Sequence, residues 1–413
     1  MNCRQTILPL NENLLMRKIL LVDDEPDLPQ DLSCMLGAMR SGWDINYTNN
    51  GPDALDRLES EDVDVIVAEM RMSAMDGKEL LTQVREKYPE VVRIVLSAFS
   101  DHKAIMRTVR LAHQYISKPC DAEILKTAIE RVFAIKALLK DKKLRRLISR
   151  MEAFPGLPAT YARITELLHN PEMPIQAVGK VIAEDIGMTV KILQLVNSAY
   201  YGIARRVAGP EEAVVFLGLD TIRALVLTIG LFSGFEESGI PKPMVEDIYR
   251  HSLKTGRLAK AIATKENMNK DQVEEAFMAG LLHDLGKLVM VHNMPDHYGE
   301  LLKTNLDKNL PIQDTEMKIF GATHEQIGAY LIGLWGLPDS IVEAVAFHHC
   351  PGQCPTAAFD ALGAVHVADA MAHVNPQSGG DIHKHRLSMD YLERFGLTGH
   401  LDGWIDLALE SYE

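Results

Sequence analysis

Cysteine is scarce in this chain, and long apolar runs are missing from it. Five cysteines stand among 413 residues, and this odd number excludes a complete disulfide framework. No stretch of about 18 or more apolar residues occurs, so no membrane span is expected. The first sixteen residues include Asn, Glu and Gln, where a signal peptide would be continuously apolar. We therefore expect a cytoplasmic protein.

Positive charge is also in short supply. The chain has 43 Lys and Arg against 57 Asp and Glu, a formal net charge of -14, and its compact basic run is Lys140–Arg146. Such a balance repels phosphate backbones and argues against direct nucleic-acid binding. Hydrophobic residues make up 47% and charged residues 24%, as expected for two globular domains with sizeable cores.

Short apolar runs alternate with amphipathic stretches from Lys18 to Pro119. The alternation predicts βα units, and unbroken apolar runs such as Val65–Ala68 predict strands covered on both faces. The predicted strands are Ile19–Asp23, Ile45–Thr48, Val63–Met70, Arg93–Ala98 and Gln114–Ser117, and the predicted helices cover residues 27–40, 52–60, 77–88, 101–112 and 121–150. The fold class of this half is therefore an α/β doubly wound sheet built from five βα units.

Polar residues stand where the predicted strands end. In doubly wound sheets these ends meet in one crevice, so Asp23, Asp24, Glu69, Ser97 and Lys118 should converge. Phosphoryl transfer to a carboxylate needs acidic groups that hold a metal such as Mg²⁺, an acceptor carboxylate and a cation. The crevice supplies all three, and the serine hydroxyl can donate to a phosphoryl oxygen.

Residues 18–140 resemble the receiver domain of two-component response regulators, which has a flavodoxin-like fold. The resemblance rests on Val22–Pro26, Met70–Gly77, Leu96–Ala98 and Tyr115–Pro119. It implies that Tyr115 is the aromatic residue whose rotation accompanies activation.

The chain departs from the receiver pattern at the phosphoacceptor, where the family has Asp and this sequence has Glu69. The extra methylene moves the carboxylate toward Lys118 and into the volume of a phosphoryl group, and small misplacements are costly in such sites. We expect loss of phosphorylation and an ion pair between Glu69 and Lys118. The receiver is then either held in an active-like state or kept as a dimerisation and docking surface.

Apolar residues recur at positions 125, 128, 132, 135 and 139. This spacing is an a/d seam of nearly two heptads, through which the helix either pairs with a second copy in a homodimer or packs on its own domain. After Met151 the pattern is helical throughout and predicts an all-α domain. Its predicted helices include Pro158–His169, Ile175–Ile186, Thr189–Ala199, Pro210–Phe216, Asp220–Phe232, Val245–Thr264 and Lys270–Leu282.

Seven residues of metal-ligand type occur in the helical half at intervals of about one helical hairpin. They are His251, His283, Asp284, His324, His348, His349 and Asp369. Such side chains on several helices can converge on one or two transition-metal ions, and imidazole with carboxylate suits Fe, Mn, Zn or Ni. Lys287, on the helical face of Asp284, could contact a phosphate. Cys350 and Cys354 either extend this site or are two reduced loop thiols.

The segment Ala276–Lys287 resembles the HD phosphohydrolase superfamily. Four further segments narrow the resemblance to the HD-related output domain, HDOD, over about residues 150–375: Leu195–Gly202, Ala213–Asp220, Gly321–Gly328 and Leu334–Pro338. HDOD domains are regarded as regulatory outputs, whereas the related HD-GYP domains hydrolyse cyclic di-GMP. The seven residues resemble the HD-GYP ligands, yet the Gly-Tyr-Pro motif is missing and Cys350–Cys354 follows His349. That absence affects substrate recognition rather than metal binding.

The two resemblances imply a domain plan and two functions. The plan is a flexible extension at 1–15, a receiver at 16–121, its last helix and a linker at 122–150, an HDOD domain at 151–375 and a helical tail at 376–413. The first hypothesis is a non-enzymatic signalling adaptor, related to phosphorelay proteins, whose receiver sets the exposure of an HDOD surface that binds another signalling protein. The alternative is a metal-dependent phosphohydrolase of a cyclic dinucleotide, in which Lys287 is catalytic. A transcription factor is disfavoured, because no helix-turn-helix reader is evident.

Overall fold

The computed structural model describes the chain in separate ranges. They are residues 17–25, 42–98, 111–118, 122–139, 141–148, 163–164, 167, 174–197, 206–229, 242–308, 312–354, 358–373 and 387–410. Helices and strands are numbered in chain order within these ranges.

A parallel sheet forms the amino-terminal half of the described chain. Its strands are β1 (Arg17–Val22), β2 (Trp43–Thr48), β3 (Val65–Glu69), β4 (Val92–Ala98) and β5 (Gln114–Lys118), in the spatial order β2-β1-β3-β4-β5. Each strand lies within two residues of its predicted bounds. The doubly wound fold is confirmed, and the order places the carboxyl ends of β1, β3 and β5 along one edge.

Helices α1 (Gly51–Ser60) and α2 (Gly77–Lys87) flank the sheet and confirm two predicted helices. The side chain of Asp76 caps α2 by accepting from the backbone N–H of Glu79. A Cβ at Gly77 would collide with the carbonyl oxygen of Glu69, so glycine lets α2 begin directly beside the crevice. The helix predicted at 27–40 lies outside the described residues. Residues 101–110 of the helix predicted at 101–112 also lie outside them.

The single helix predicted over 121–150 is wrong in one respect, because the structure has two helices there. They are α3 (Ala122–Lys136) and α4 (Lys142–Ile148). Backbone N–H groups of Ala137 and Leu138 turn back to carbonyls three residues earlier, which tightens and ends α3. Four of the five seam residues, Leu125, Val132, Ile135 and Leu139, are buried within the chain itself. This burial favours the alternative in which the helix packs on its own domain, and a homodimer through the seam stays a prediction.

The remaining described residues are helical. The helices are α5 (Ile175–Ile182), α6 (Ile186–Val196), α7 (Pro210–Ile229), α8 (Lys242–Lys265), α9 (Lys270–Leu282), α10 (Leu285–Asn293), α11 (Pro295–Lys308), α12 (Ile312–Phe320), α13 (His324–Leu334), α14 (Asp339–Phe347), α15 (Ala361–Ala372), α16 (Met389–Arg394) and α17 (Leu401–Glu410). The all-α prediction is therefore confirmed. Within the described ranges, no helix is both long enough and apolar enough to cross a bilayer.

One helix boundary differs from the sequence expectation. The helix predicted over Ile175–Ile186 ends at Ile182, because the side chain of Asp185 accepts the backbone N–H of Met188 and starts α6 there. The break predicted between Pro210–Phe216 and Asp220–Phe232 is present, since α7 consists of two helical parts separated at Gly218, where φ of 77° and ψ of 157° are not helical. This left-handed conformation favours glycine. The helix predicted at Pro158–His169 lies mostly outside the described residues.

Candidate functional site

The receiver crevice is closed by ion pairs within the chain. Lys118 Nζ lies 2.7 Å from Asp23 Oδ2 and 2.5 Å from Glu69 Oε2. The other carboxylate oxygen of Glu69 accepts the backbone N–H groups of Met70 at 2.7 Å and Arg71 at 3.2 Å. Burial alone would lower the pKa of Lys118, but the hydrogen bonds to Asp23 and Glu69 outweigh it and raise that pKa above its ordinary value. The Glu69–Lys118 pair expected from the sequence is present.

The other residues assigned to the crevice are placed differently. Asp24 Oδ2 accepts the backbone N–H of Ser73 at 2.8 Å, and Tyr115 is buried. Ser97 lies in β4, and its side chain falls outside the described part of the structure. In the described ranges, groups of three close potential metal ligands occur in the helical half. Among the described residues, no such group lies in the crevice, so a magnesium ion there stays a prediction.

A first group of potential ligands joins three parts of the helical domain. His251 comes from α8, His283 and Asp284 from the α9–α10 junction, and Asp369 from α15. His251 Nε2 lies 3.2 Å from His283 Nε2, 3.0 Å from Asp369 Oδ1 and 3.8 Å from Asp284 Oδ2. The first two separations fit neighbouring donor atoms around one ion, since ligand bonds of about 2.1 Å place such donors roughly 3.0–3.5 Å apart, and the distance to Asp284 is somewhat longer.

Glycines allow the helices that carry these ligands to approach closely. A Cβ at Gly280 of α9 would lie 2.8 Å from Cα of Gly256 in α8, so the two backbones touch there, one turn from the histidines. A Cβ at Gly286 would collide with the carbonyl of His324. Because both positions lack a side chain, the α9–α10 junction reaches α8 on one side and α13 on the other.

A second group consists of His324, His348 and His349, whose ring centroids are 4.1–5.4 Å apart. The two aspartates connect it to the first group. Asp284 places Oδ2 3.4 Å from His283 Nε2 and Oδ1 3.4 Å from His324 Nε2. Asp369 places Oδ1 near His251, and Oδ2 lies 3.7 Å from His349 Nδ1. Each carboxylate therefore offers one oxygen to each group, as bridging ligands of a dinuclear centre do.

Hydrogen bonds behind the imidazoles fix their orientation. The Nδ1 atoms of His283 and His348 donate to the carbonyls of Gly280 at 2.7 Å and Val345 at 2.9 Å. His324 Nδ1 donates to Glu316 Oε2 at 2.8 Å. With Nδ1 protonated, the lone pair of a neutral ring lies on Nε2 and points into the cluster.

Several atoms that face the cluster are buried without a hydrogen-bond partner. They are Asp284 Oδ1 and the Nε2 atoms of His324, His348 and His349. Leaving such an atom unpaired costs about 1–3 kcal/mol, and this cost would fall if a cation accepted their lone pairs. The donor set therefore fits one or two transition-metal ions.

The protonation states suit ligands, with one exception. Burial lowers the pKa of His283 to about 3 and also lowers the pKa of His348 and His349, so these rings are neutral at pH 7. Burial would raise the pKa of Asp284 and of Asp369, but His283 and the ammonium of Lys287 beside Asp284, and the hydrogen bond from His251 to Asp369, outweigh it and hold both pKa values below their ordinary range. The exception is His324, where Glu325 and Glu316 overcome burial and raise the pKa to about 9.

Sequence reasoning missed three residues at this centre. Glu316 holds His324 from behind, and Glu325 Oε2 lies 3.5 Å from His324 Nδ1. His373 Nε2 lies 3.7 Å from Asp369 Oδ1, and the ring centroids of His373 and His251 are 4.8 Å apart. The one sequence signal for His373 is its position four residues after Asp369 on one helical face.

Lys287 and the two cysteines were also assigned roles from the sequence. Lys287 Nζ lies 2.7 Å from Asp284 Oδ2 and keeps 17% of its side chain exposed. Its pKa is raised above the ordinary value, because the charge and hydrogen bond of Asp284 outweigh burial. Cys350 is exposed, Cys354 is buried, and the two form no disulfide among the described residues. The ligand clusters found among the described residues contain neither cysteine.

Family models and curated relatives place both halves of the chain. A model described as response regulator receiver domain matches residues 19–130, and one described as HDOD domain matches residues 154–351. An uncharacterized protein of Treponema pallidum is 27% identical over 205 residues, 49% of this chain and 39% of that protein. The Escherichia coli transcriptional regulatory protein GlrR is 30% identical over 131 residues, 32% of this chain and 29% of that protein. The chain thus spans less than half the length of these relatives.

Solved structures include two that resemble most of the chain. The MmoQ response regulator of Methylococcus capsulatus covers 61% of this chain and 97% of its own, with 20% identity and a TM-score of 0.48. A virulence factor of Campylobacter jejuni covers 65% and 99%, with 18% identity and a TM-score of 0.49. The family matches show that the chain contains a response regulator receiver domain followed by an HDOD domain.

Proposed function

We propose that this response regulator works without phosphorylation of its receiver and that its HDOD domain acts on other signalling proteins by protein–protein contact. The observation that carries the first part is the 2.5 Å ion pair between Glu69 Oε2 and Lys118 Nζ. In phosphoryl transfer to a carboxylate, a cation neutralises the charge that develops on the phosphoryl oxygens. Here the acceptor-position carboxylate already engages that cation.

The surroundings of Glu69 support the same conclusion. Both carboxylate oxygens have donors, since Met70 and Arg71 donate backbone N–H groups to Oε1. An attack on a phosphodonor would have to break these bonds and release Lys118, in a crevice where Glu69 and Asp23 are already buried. A phosphoryl group would also bring a charge of about −1.5 to −2 beside Asp23.

Intact mass after incubation with acetyl phosphate or beryllofluoride tests this part. We expect no adduct on the wild type and a gain of one phosphoryl group on Glu69→Asp, because the shorter side chain withdraws from Lys118. Glu69→Gln is the matched control, since it keeps the length and removes the nucleophile. A stoichiometric, acid-labile gain on the wild type that is absent from Glu69→Gln would contradict the proposal.

The second part concerns the output. The receiver implies signalling partners, and response regulators of this composition are expected in the cytoplasm. Val215 and Phe216, consecutive residues of α7, are 52% and 49% exposed, and adjacent exposed apolar side chains favour a protein docking surface. In the organism that encodes the chain, Val215→Ser with Phe216→Ser should abolish signalling, whereas Lys287→Met should preserve it. If Lys287→Met abolishes signalling and the change of Val215 and Phe216 preserves it, an enzymatic output is favoured.

A metal-dependent phosphohydrolase is the second candidate. It is favoured by the four buried atoms of the His and Asp cluster that have no hydrogen-bond partner. His251 and His283 would hold one ion, and His324, His348 and His349 a second, with both aspartates between them. Bound transition-metal ions would supply Lewis-acid chemistry toward a phosphate ester. Lys287, charged and partly exposed beside Asp284, would bind and orient a phosphate oxygen.

Cyclic di-GMP is the substrate to test, because the ligand set resembles that of HD-GYP domains. Protein loaded with Fe, Mn, Zn or Ni is incubated with the cyclic dinucleotide, and the linear product is followed by chromatography. Lys287→Met should stop hydrolysis while metal content remains unchanged. If the wild type binds metal but does not hydrolyse the cyclic dinucleotide, protein–protein contact remains as the proposed output.

A further inference from the structure

Two helices carry three of the imidazoles of the metal centre at one end and face the receiver at the other. Helix α13 begins at His324 and ends at Leu334. Helix α14 begins at Asp339 and ends at Phe347, directly before His348 and His349. The hairpin of residues 324–349, called the coupling hairpin below, therefore has the ligands at its open end and the turn of residues 335–338 at its closed end.

The closed end of the coupling hairpin is hydrogen-bonded to the receiver. Gln114 Nε2, at the start of β5, donates to the carbonyl of Leu334 at 3.1 Å. Arg131 of α3 donates from Nη1 to the carbonyl of Gly336 at 3.3 Å and from Nη2 to the carbonyl of Leu337. The same guanidinium lies 2.8 Å from Asp339 Oδ1, and its side chain is 10% exposed. One buried arginine thus holds the end of α13 and the start of α14 together.

The contact is also close-packed. A Cβ at Gly333 would lie 2.6 Å from Cδ1 of Ile135, so the backbone of α13 rests directly on α3. Gln194 of α6 donates to the carbonyls of Ala112 and His113 before β5, at 3.3 and 3.2 Å. Residues of α13 are buried along its whole length. A displacement at the closed end therefore cannot be absorbed by empty space and moves the helix as a body.

We propose that the receiver sets the metal affinity of the HDOD centre through the coupling hairpin. This inference rests on the metal binding proposed above and adds its regulation. The first ion's ligands come from α8, the α9–α10 junction and α15, whereas three imidazoles of the second come from the hairpin. A shift of α3 or β5 changes the distance between the ligands of the first ion and those of the second. Asp284 and Asp369 would contact both ions, so this distance affects how well they bind. By linkage, metal binding changes the receiver contact by the same free energy.

The test compares Mn²⁺ dissociation constants of the full chain, measured by competition with a chelating dye. Arg131→Met keeps the aliphatic stem and removes the guanidinium, and we expect its dissociation constant to differ from that of the wild type at least about fivefold. Lys126→Met is the matched control on the same helix, because that ammonium pairs with Glu123 in α3 itself. It should leave the dissociation constant unchanged within about twofold.

Hydrogen exchange gives a second measurement that needs no variant. Mn²⁺ should slow amide exchange in α3 and β5 of the wild type, and Arg131→Met should remove that effect. If Arg131→Met does not fold, Gln114→Ala, which removes one hydrogen bond, decides instead. Equal Mn²⁺ affinity in wild type and variant, with exchange in α3 unaffected by Mn²⁺, overturns the coupling and leaves metal binding intact. Absence of Mn²⁺ binding to the wild type overturns both.

Discussion

The receiver crevice and the metal centre contain similar groups in opposite states. Each gathers carboxylates and nitrogen atoms at the ends of helices or strands. In the crevice, Lys118 bonds to Asp23 and Glu69, and the second oxygen of Glu69 accepts backbone N–H groups. In the metal centre, Asp284 Oδ1 and the Nε2 atom of His324 are buried without a hydrogen-bond partner. The crevice has satisfied its own charges, whereas the centre keeps some of its buried donors unpaired.

This difference shows what one methylene can do. Receivers have Asp where Glu69 stands, and the longer side chain here places its Oε2 atom 2.5 Å from Lys118 Nζ. No such substitution has occurred at the cluster, where both bridging carboxylates are Asp284 and Asp369. Unpaired buried groups are costly, so a cluster that keeps them is better explained by ligand binding than by stability.

The first prediction removes the cation from the receiver crevice. Lys118→Met leaves Glu69 and Asp23 buried without their cation, and losing one member of a buried pair costs about 3 kcal/mol or more. Urea unfolding should show this loss. Glu69→Met together with Lys118→Met should recover most of it, and Lys126→Met, which breaks an exposed pair, should cost less than about 1 kcal/mol. A fully stable Lys118→Met protein would mean that the ion pair does not close the crevice.

The second prediction removes donors from the metal centre. Free metal at a hundred times its dissociation constant should stabilise the wild type by about 2.7 kcal/mol, measured by urea unfolding with Fe, Mn, Zn or Ni. His283→Ala with Asp284→Ala should abolish this gain, because the first ion loses two ligands. His400→Ala, which removes a histidine that pairs with Glu266 far along the chain, should retain it. Retention by the double variant would exclude the cluster as the binding site.

The sequence predicted the ligand set and the crevice better than the residues that support them. The strands were predictable because buried parallel strands have a simple pattern, and Glu69 stands out against a specific motif. Seven ligand-type residues were found from spacing and resemblance. Glu316 was not, because it reaches His324 across the α12–α13 turn and a glutamate on an amphipathic helix carries no distinguishing signal. Nor did the pattern indicate the bonds of Arg131 to Gly336 and Leu337, which depend on how two domains pack.

Glu316→Gln tests the support behind one imidazole. Glu316 accepts both the backbone N–H and Nδ1 of His324, and its charge makes that ring a stronger donor to a metal. The amide keeps the shape and loses the charge, so metal affinity should fall about tenfold. Glu266→Gln is the matched control, since that carboxylate accepts from His400 and Trp404 outside the centre. Unchanged affinity in Glu316→Gln would show that the ring is oriented by packing alone.

The smallest expected effect belongs to His373, at the exposed edge of the centre. Its Nε2 lies 3.7 Å from Asp369 Oδ1, within reach of an ion held by His251 and Asp369, yet 36% of its side chain is exposed. Water can replace a donor that is already at the surface, so His373→Ala should weaken metal binding by only about threefold, roughly 0.65 kcal/mol. The number of ions per chain should not change. His297→Ala serves as the control, because that ring packs near Phe320 on α12. A loss as large as that of Glu316→Gln would mean that His373 is a required ligand, and that the first ion is bound closer to the surface than its buried donors His283, Asp284 and Asp369 indicate.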